Sequence, residues 1–85
     1  MRLPLIKHIN QFIAENDEDY VNEAITVLEH LSESTAIKDE ELDVIGELLS
    51  NLYGSLEVVG MMKEGKTEKE AGNIFMKRVL GSIDQ

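Results

Sequence analysis

Cysteine is absent from this sequence of 85 residues. The chain can therefore form no disulfide, offers no thiolate nucleophile and cannot ligate a metal through sulfur. It also lacks an apolar run of the length that a membrane span or the core of a signal peptide requires. These absences favour a cytoplasmic protein that does not enter a membrane.

Basic side chains are scarce, with 8 lysines and arginines against 17 aspartates and glutamates and a formal net charge of −9. Such a surface repels a phosphate backbone, so nucleic acid is not an expected partner. Residues 1–62 carry 3 basic and 13 acidic groups, whereas residues 63–78 carry 5 and 3. The mildly basic end is either a solvated surface or one that docks on the acidic face of a neighbouring subunit.

No stretch alternates between apolar and polar residues for long enough to predict a strand, and only helical spacing recurs. Pro4 suits the first turn of a helix, and the apolar spacing after it predicts a first helix over residues 4–15. Asn16 or Asp17 can cap a second helix, which ends in the hydroxyl-rich segment 32–35.

The third helix is predicted over residues 38–64 and is the longest. Apolar residues fill every a and d position of a heptad frame along it, at Leu42, Ile45, Leu49, Leu52, Leu56 and Val59. At about 100° per residue, further apolar positions widen the apolar arc to about 220°, against about 100° for a typical surface helix. Because a neighbour on one side cannot cover such an arc, we expect a second molecule to share it.

Small residues recur beside this seam at Gly46, Ser50 and Gly54. A glycine within a helix costs about 1 kcal/mol relative to alanine, so close approach of another helix is expected to offset that cost. Asn51 is expected to form an interhelical hydrogen bond that sets the register. The predicted interface comprises Leu42, Ile45, Gly46, Leu49, Ser50, Leu52, Tyr53, Gly54, Leu56 and Val59.

Gly65 is placed to end the third helix in a left-handed conformation, and the segment from Thr67 to Glu70 has the pattern of a capping box that opens a fourth helix. A chain of this length accommodates one domain, residues 1–85. The predicted fold is therefore all-α: a compact four-helix domain with a long central third helix, completed by dimerisation.

The segment from Gly60 to Thr67 matches the pattern of a phosphate-binding loop, with Lys66 and Thr67 at the positions that meet phosphate and magnesium. That chemistry requires a loop that leaves a buried strand and enters a helix. Because an apolar helix is predicted to precede the segment, a helix end followed by a capping box is the favoured interpretation. A small nucleotide-binding protein is the alternative.

No constellation predicts a metal site or a catalytic centre. His8 and His30 lack a glutamate three residues earlier, which is the spacing that helical di-metal sites use. The acidic runs 17–19 and 39–43 lack the spacing of a calcium loop. We therefore expect no catalytic, cofactor-binding or metal-binding residue, and no enzyme.

The second half of the chain resembles the YejL-type small bacterial proteins at spaced positions: Val44-Ile45-Gly46, Asn51-Leu52, Asn73, Phe75 and Ser82-Ile83. The resemblance covers roughly residues 40–83, while the loop at 62–69 is longer here and the first two helices match poorly. The whole chain also resembles a small bacterial family of uncharacterised helical proteins of about this length. YejL-type proteins are compact, helical and of uncharacterised function, and they tend to be homodimers. The resemblance therefore implies a homodimer and carries no catalytic residue.

The sequence thus predicts a non-catalytic helical module for self-association or protein interaction, joined through the third helix with the fourth as a further contact. The alternative is an adaptor that binds an amphipathic helix of a different protein in its open apolar arc.

Overall fold

Four α-helices form the computed structural model, which describes the backbone of residues 2–83 and the side chains of residues 2–80. The helices are α1 (Leu3–Glu15), α2 (Asp19–Ser32), α3 (Asp39–Lys63) and α4 (Glu68–Ile83). The predicted bounds agree closely with these, and the described residues contain no strand. The all-α fold with a long third helix is confirmed, while the side chains of Ser82 and Ile83 lie outside the described part.

Local interactions set the starts of the first three helices. Pro4 lies in the first turn of α1, where its missing N–H leaves no bond unmade. The N-cap of α2 is Glu18 rather than the predicted Asn16 or Asp17, and the Asp17 carboxylate just before it accepts a hydrogen bond from the backbone N–H of Asp19 (3.0 Å). At the start of α3, the backbone N–H of Lys38 donates to the Glu41 carboxylate (3.0 Å). Short-range chemistry is therefore sufficient to place these helix starts.

The end of α3 has the conformation predicted for it. Gly65 has a φ of +107°, which favours glycine because it has no Cβ. The backbone N–H of Lys66 donates to the Met61 carbonyl (3.2 Å), and that of Gly65 donates to the Met62 carbonyl (3.0 Å). These two bonds form a Schellman motif, which satisfies carbonyl groups that the helix end would leave unpaired.

A reciprocal pair of hydrogen bonds opens α4. The backbone N–H of Thr67 donates to the Glu70 carboxylate (3.1 Å), and the backbone N–H of Glu70 donates to the Thr67 hydroxyl (3.1 Å). The predicted capping box is therefore confirmed. The pKa of Glu70 is lowered because its carboxylate accepts the hydrogen bond from Thr67.

α3 is central, since α1, α2 and α4 all pack on it. The backbone N–H of Arg2, just before α1, donates to Asn51 Oδ1 (2.9 Å), and the Arg2 Nε lies 3.2 Å from the Glu47 carboxylate. Ala14, near the other end of α1, lies beside Met62. α1 therefore runs parallel to α3, covers it from the level of Glu47 onward and leaves its first turns uncovered.

The apolar core lies where α1, α3 and α4 meet. Its buried members are Ile6, Val58, Met61, Ala71 and Phe75. Gly54 lies among them, and a Cβ added there would lie 2.9 Å from Ile6 Cδ1 and 3.0 Å from Phe75 Cζ. A glycine is therefore needed at position 54 for α1 and α4 to approach α3 this closely.

Polar side chains also link three helices in the interior. The Ser55 hydroxyl donates to Asn10 Oδ1 (2.5 Å), and Asn10 Nδ2 donates to the Glu68 carboxylate at the start of α4 (3.3 Å). Asn51 is buried as well, and its amide group bonds to the start of α1 and to a carbonyl one turn earlier in α3. Within the described residues, no buried polar side-chain atom lacks a partner. The interhelical bond predicted for Asn51 is confirmed, with its partner in the same chain.

α2 covers the side of α3 on which the predicted heptad seam lies. Glu18, at the start of α2, pairs with Lys63 (Oε1 to Nζ, 3.0 Å), and Glu29 accepts a hydrogen bond from the Tyr53 hydroxyl (2.5 Å). α2 is therefore antiparallel to α3.

The seam itself is half-buried at Ile45, Leu49, Leu52 and Leu56. The buried residues of α3 are Asn51, Gly54, Ser55, Val58, Val59 and Met61, and of these only Val59 belongs to the seam. Leu52 of the seam lines a groove together with Val21 and Ala24 of α2, so the same chain covers part of the seam. That a second molecule shares the rest of it stays a prediction.

The molecule is flat, with principal extents of 43 × 35 × 17 Å and a Cα radius of gyration of 13.8 Å. A globular chain of this length has a radius of gyration of about 12 Å. The accessible surface is 6048 Å², whereas a globular monomer of this size exposes about 5,100 Å², so the excess is about 900 Å². A substantial area that a globular protein would bury is therefore left open.

Candidate interaction surface

Eleven large apolar side chains are more than one third exposed in the described residues. They are Phe12, Tyr20, Val27, Leu31, Leu42, Val44, Leu48, Tyr53, Met62, Ile74 and Leu80. Apolar residues exposed singly are ordinary on protein surfaces, whereas a contiguous group marks an interaction surface. Whether these residues mark an interaction surface therefore depends on whether they lie next to one another.

Two shallow grooves contain four of these residues. The first lies between α2, the α2–α3 connection and α3, and its lining is Leu31, Ser34, Ala36, Ile37, Glu40, Glu41, Val44 and Ile45. The second lies between α1, α2 and α3, and its lining is His8, Ile9, Phe12, Tyr20, Val21, Ala24 and Leu52. Both grooves are therefore bounded by α2 on one side and α3 on the other.

The two grooves are parts of one surface. On α2, Val27 lies between Ala24 of the second groove and Leu31 of the first, at spacings of three and four residues that keep all of them on one helix face. On α3, Leu48 lies in the same way between Ile45 and Leu52. We call this surface the apolar trough, and its exposed members are Phe12, Tyr20, Val27, Leu31, Val44 and Leu48.

The trough is open because α1 is short. α1 begins beside Glu47 and Asn51, so no part of it extends over the turns of α3 that precede them. Val44 lies on those turns, and Leu48 lies at the level where α1 begins; they are 57% and 45% exposed.

Acidic groups stand at one end of the trough. Glu40 and Glu41, in the first turn of α3, line it one turn before Val44. Neither carboxylate forms an ion pair within the described residues. The surface is therefore apolar along its length and negatively charged at its α3 N-terminal end.

The residues of the predicted interface are divided between several environments. Two of them, Gly54 and Val59, are buried within the chain. Five are half-buried, namely Ile45, Leu49, Ser50, Leu52 and Leu56, and three are exposed, namely Leu42, Gly46 and Tyr53. Only Ile45 and Leu52 line the trough. The structure corrects the assignment of Gly54 to an intermolecular groove, because Ile6 and Phe75 occupy the space beside it.

The other exposed members of that set face away from the trough. A Cβ added to Gly46 would meet nothing within 4 Å. Tyr53 lies on the opposite flank of α2, where its hydroxyl donates to the Glu29 carboxylate, and this bond raises the pKa of Tyr53. Gly46 and Gly54 therefore do not form one continuous small-residue groove.

Most of the trough was not identified from the heptad pattern. Val44 and Leu48 belong to the wide apolar arc of α3, and Tyr20, Val27 and Leu31 belong to the apolar stripe of α2. The signal that could have found them is the width of each stripe. A second helix cannot cover both edges of a stripe wider than about 100°.

The segment that matches a phosphate-binding loop has a different geometry. Its first four residues, 60–63, are the last turn of α3. Its N–H groups at Gly65 and Lys66 donate to α3 carbonyls, and the Thr67 hydroxyl accepts the bond that caps α4. These groups are thus committed to a helix end and a helix start rather than converging on one point.

The described residues contain no group of three or more histidine, aspartate or glutamate side chains placed to hold a metal ion. His8 lies exposed at the edge of the trough, and His30 lies exposed beside Glu33. No helix in this part of the chain is both long and apolar enough to cross a membrane.

The fold and the trough define a small all-α protein with an unpaired apolar surface. The chain belongs to the DUF6952 family, a family of unknown function, which matches it over residues 1–84. Neither a curated protein nor a solved structure matches the chain. The prediction that the chain belongs to an uncharacterised family is confirmed. The match does not test the resemblance to YejL-type proteins, which stays a prediction.

Proposed function

We propose that this protein is a non-catalytic, cytoplasmic helical module that self-associates, and that a second copy covers the apolar trough. The observation that carries the proposal is the exposed area. The surface of 6048 Å² exceeds that of a globular monomer by about 900 Å². A standard protein interface buries about 800 Å² on each partner. Pairing through the trough would therefore bring the exposed area close to the ordinary value.

Size also favours pairing over a permanently open monomer. A domain of 85 residues buries only about 60 to 65% of its unfolded surface, and oligomerisation is one means by which such small domains gain stability. The homodimers known among the YejL-type proteins, which the second half resembles, support the same proposal. A chain without cysteine is also suited to the reducing cytoplasm.

Two leucines on α3 provide a matched test. Leu48 lies in the trough and is 45% exposed, whereas Leu42 lies outside it and is 40% exposed. Leu48→Glu and Leu42→Glu add the same charge at similar exposure on the same helix. Light scattering across micromolar to millimolar concentrations should give a dimer for the unmodified protein and for Leu42→Glu, and a monomer for Leu48→Glu. Far-UV circular dichroism should show equal helix content in all of them.

The reverse pattern would locate self-association on the heptad face that the sequence predicted, away from the trough. A monomeric unmodified protein at every concentration would remove the proposal of self-association. In that case the adaptor hypothesis, in which the trough holds a helix of another protein, would be the one to pursue.

A further inference from the structure

The outer face of α4 combines apolar and basic residues. Ile74, Lys77 and Leu80 follow one another at three-residue spacing and therefore lie along one ridge of the helix. Ile74 and Leu80 are exposed apolar residues, and Lys77 between them is exposed too. Lys77 and Lys69 form no ion pair within the described residues. This ridge is an exposed apolar surface apart from the trough, and it carries the opposite charge.

Charge makes a trough-to-trough contact unfavourable. The trough ends in Glu40 and Glu41, and residues 1–62 as a whole carry 13 acidic against 3 basic groups. Two such surfaces facing each other would place like charges in contact, which opposes association. α4 itself has three basic residues, Lys69, Lys77 and Arg78, against two acidic ones, Glu68 and Glu70, so it offers the complementary sign.

We propose that the α4 ridge of a second copy occupies the apolar trough, with Lys77 of that copy near Glu40 and Glu41. This rests on the proposed self-association and names the surface that covers the trough. In a two-fold dimer each copy would supply one trough and one ridge, so the same contact would form twice. Ile74 and Leu80 then meet the exposed leucines and valines of the trough.

A charge swap tests the contact. Lys77→Glu should raise the dimer dissociation constant about tenfold at low salt, because it places a carboxylate against the acidic end of the trough. Glu40→Lys should weaken the dimer to a similar extent. The double variant Lys77→Glu/Glu40→Lys should recover most of the affinity, since each contact again pairs opposite charges. Lys7→Glu, an exposed change of equal charge on α1, is the control.

The measurement is sedimentation equilibrium at several salt concentrations, with far-UV circular dichroism to verify folding. For the unmodified protein, the dissociation constant should rise with salt, because salt screens the contact between α4 and the trough. This second readout needs no variant and therefore does not depend on whether a variant folds.

The proposal is overturned if Lys77→Glu behaves like Lys7→Glu and the double variant shows no recovery. It is equally overturned if salt strengthens the dimer. These failures are distinguishable from a failure of self-association itself, because Leu48→Glu would still dissociate a dimer that uses the trough with some other occupant. A monomeric unmodified protein would remove both proposals.

Discussion

The two halves of α3 differ in a way that their composition does not suggest. The second half, residues 51–63, buries Asn51 and Ser55 almost completely, whereas the first half, residues 39–50, has no buried residue and leaves Leu48 exposed. α1 packs on α3 from the level of Glu47 onward, and α4 contacts the second half at Gly54 and Glu57. Burial in this small protein therefore depends on where the neighbouring helices end, and a polar side chain is buried readily once its hydrogen bonds are satisfied.

The largest expected change in stability comes from substituting the glycines of α3, one of which lies in each half. Gly54→Ala should destabilise the fold by about 2 to 3 kcal/mol, because the new methyl group overpacks against Ile6 and Phe75. Gly46→Ala should instead stabilise it by up to about 1 kcal/mol, because alanine has the higher helix propensity and its space is open. Urea unfolding midpoints at one protein concentration give both values.

Equal effects at the two glycines would contradict the assignment of the core to the second half of α3. If Gly46→Ala weakened self-association without lowering the free energy of unfolding, Gly46 would belong to the interface that the sequence predicted.

A smaller effect is expected from the buried amide of the second half. Asn51→Ala should destabilise the fold by about 1 to 2 kcal/mol, because the Arg2 backbone N–H would be left without its partner. Asn22→Ala is the control, since the Asn22 amide donates to the Glu18 carbonyl at the surface (3.4 Å). Thermal unfolding should show a clear loss for Asn51→Ala alone. Similar stability of the two variants would mean that water replaces the Asn51 amide without cost.

The smallest expected change in stability depends on pH and involves Glu70 in the capping box at the start of α4. Because the pKa of Glu70 is lowered in the folded chain, its charged form contributes stability above its unfolded pKa, and this contribution is lost as the pH falls through the folded value. Glu70→Gln should therefore lower the Tm slightly at neutral pH and by less in acid. Thermal unfolding of both proteins from neutral pH down to pH 3 gives the difference. A difference in Tm between the two proteins that grows as the pH falls would contradict the stabilising role of the charged Glu70 carboxylate.

Helix bounds were predictable because local chemistry determines them. The left-handed Gly65 and the reciprocal bonds of Thr67 and Glu70 depend on residues that are neighbours in sequence. A pattern of letters is enough to identify such interactions. The same kind of local pattern predicted that the segment matching a phosphate-binding loop is the end of a helix.

The buried face of α3 was less predictable. Apolar spacing favoured the face of Leu49, Leu52 and Leu56, yet the deepest positions include Asn51 and Ser55. Their burial depends on Asn10 and Arg2, whose contacts arise from the direction in which α1 packs. An arc as wide as that of α3 offers several possible faces, and tertiary packing selects among them. The trough could not be located for the same reason.

α1 comes first in the order of the four helices, yet its partners lie far along the sequence. Ile6 packs in one cluster with Val58 and Phe75, and the Arg2 amide bonds to a residue 49 positions further on. During synthesis α1 remains without these partners until residues 51–75 have emerged, whereas α2 can pair with the first turns of α3 earlier. We therefore expect productive folding to be limited by these long-range contacts, even though local contacts dominate in most small helical proteins.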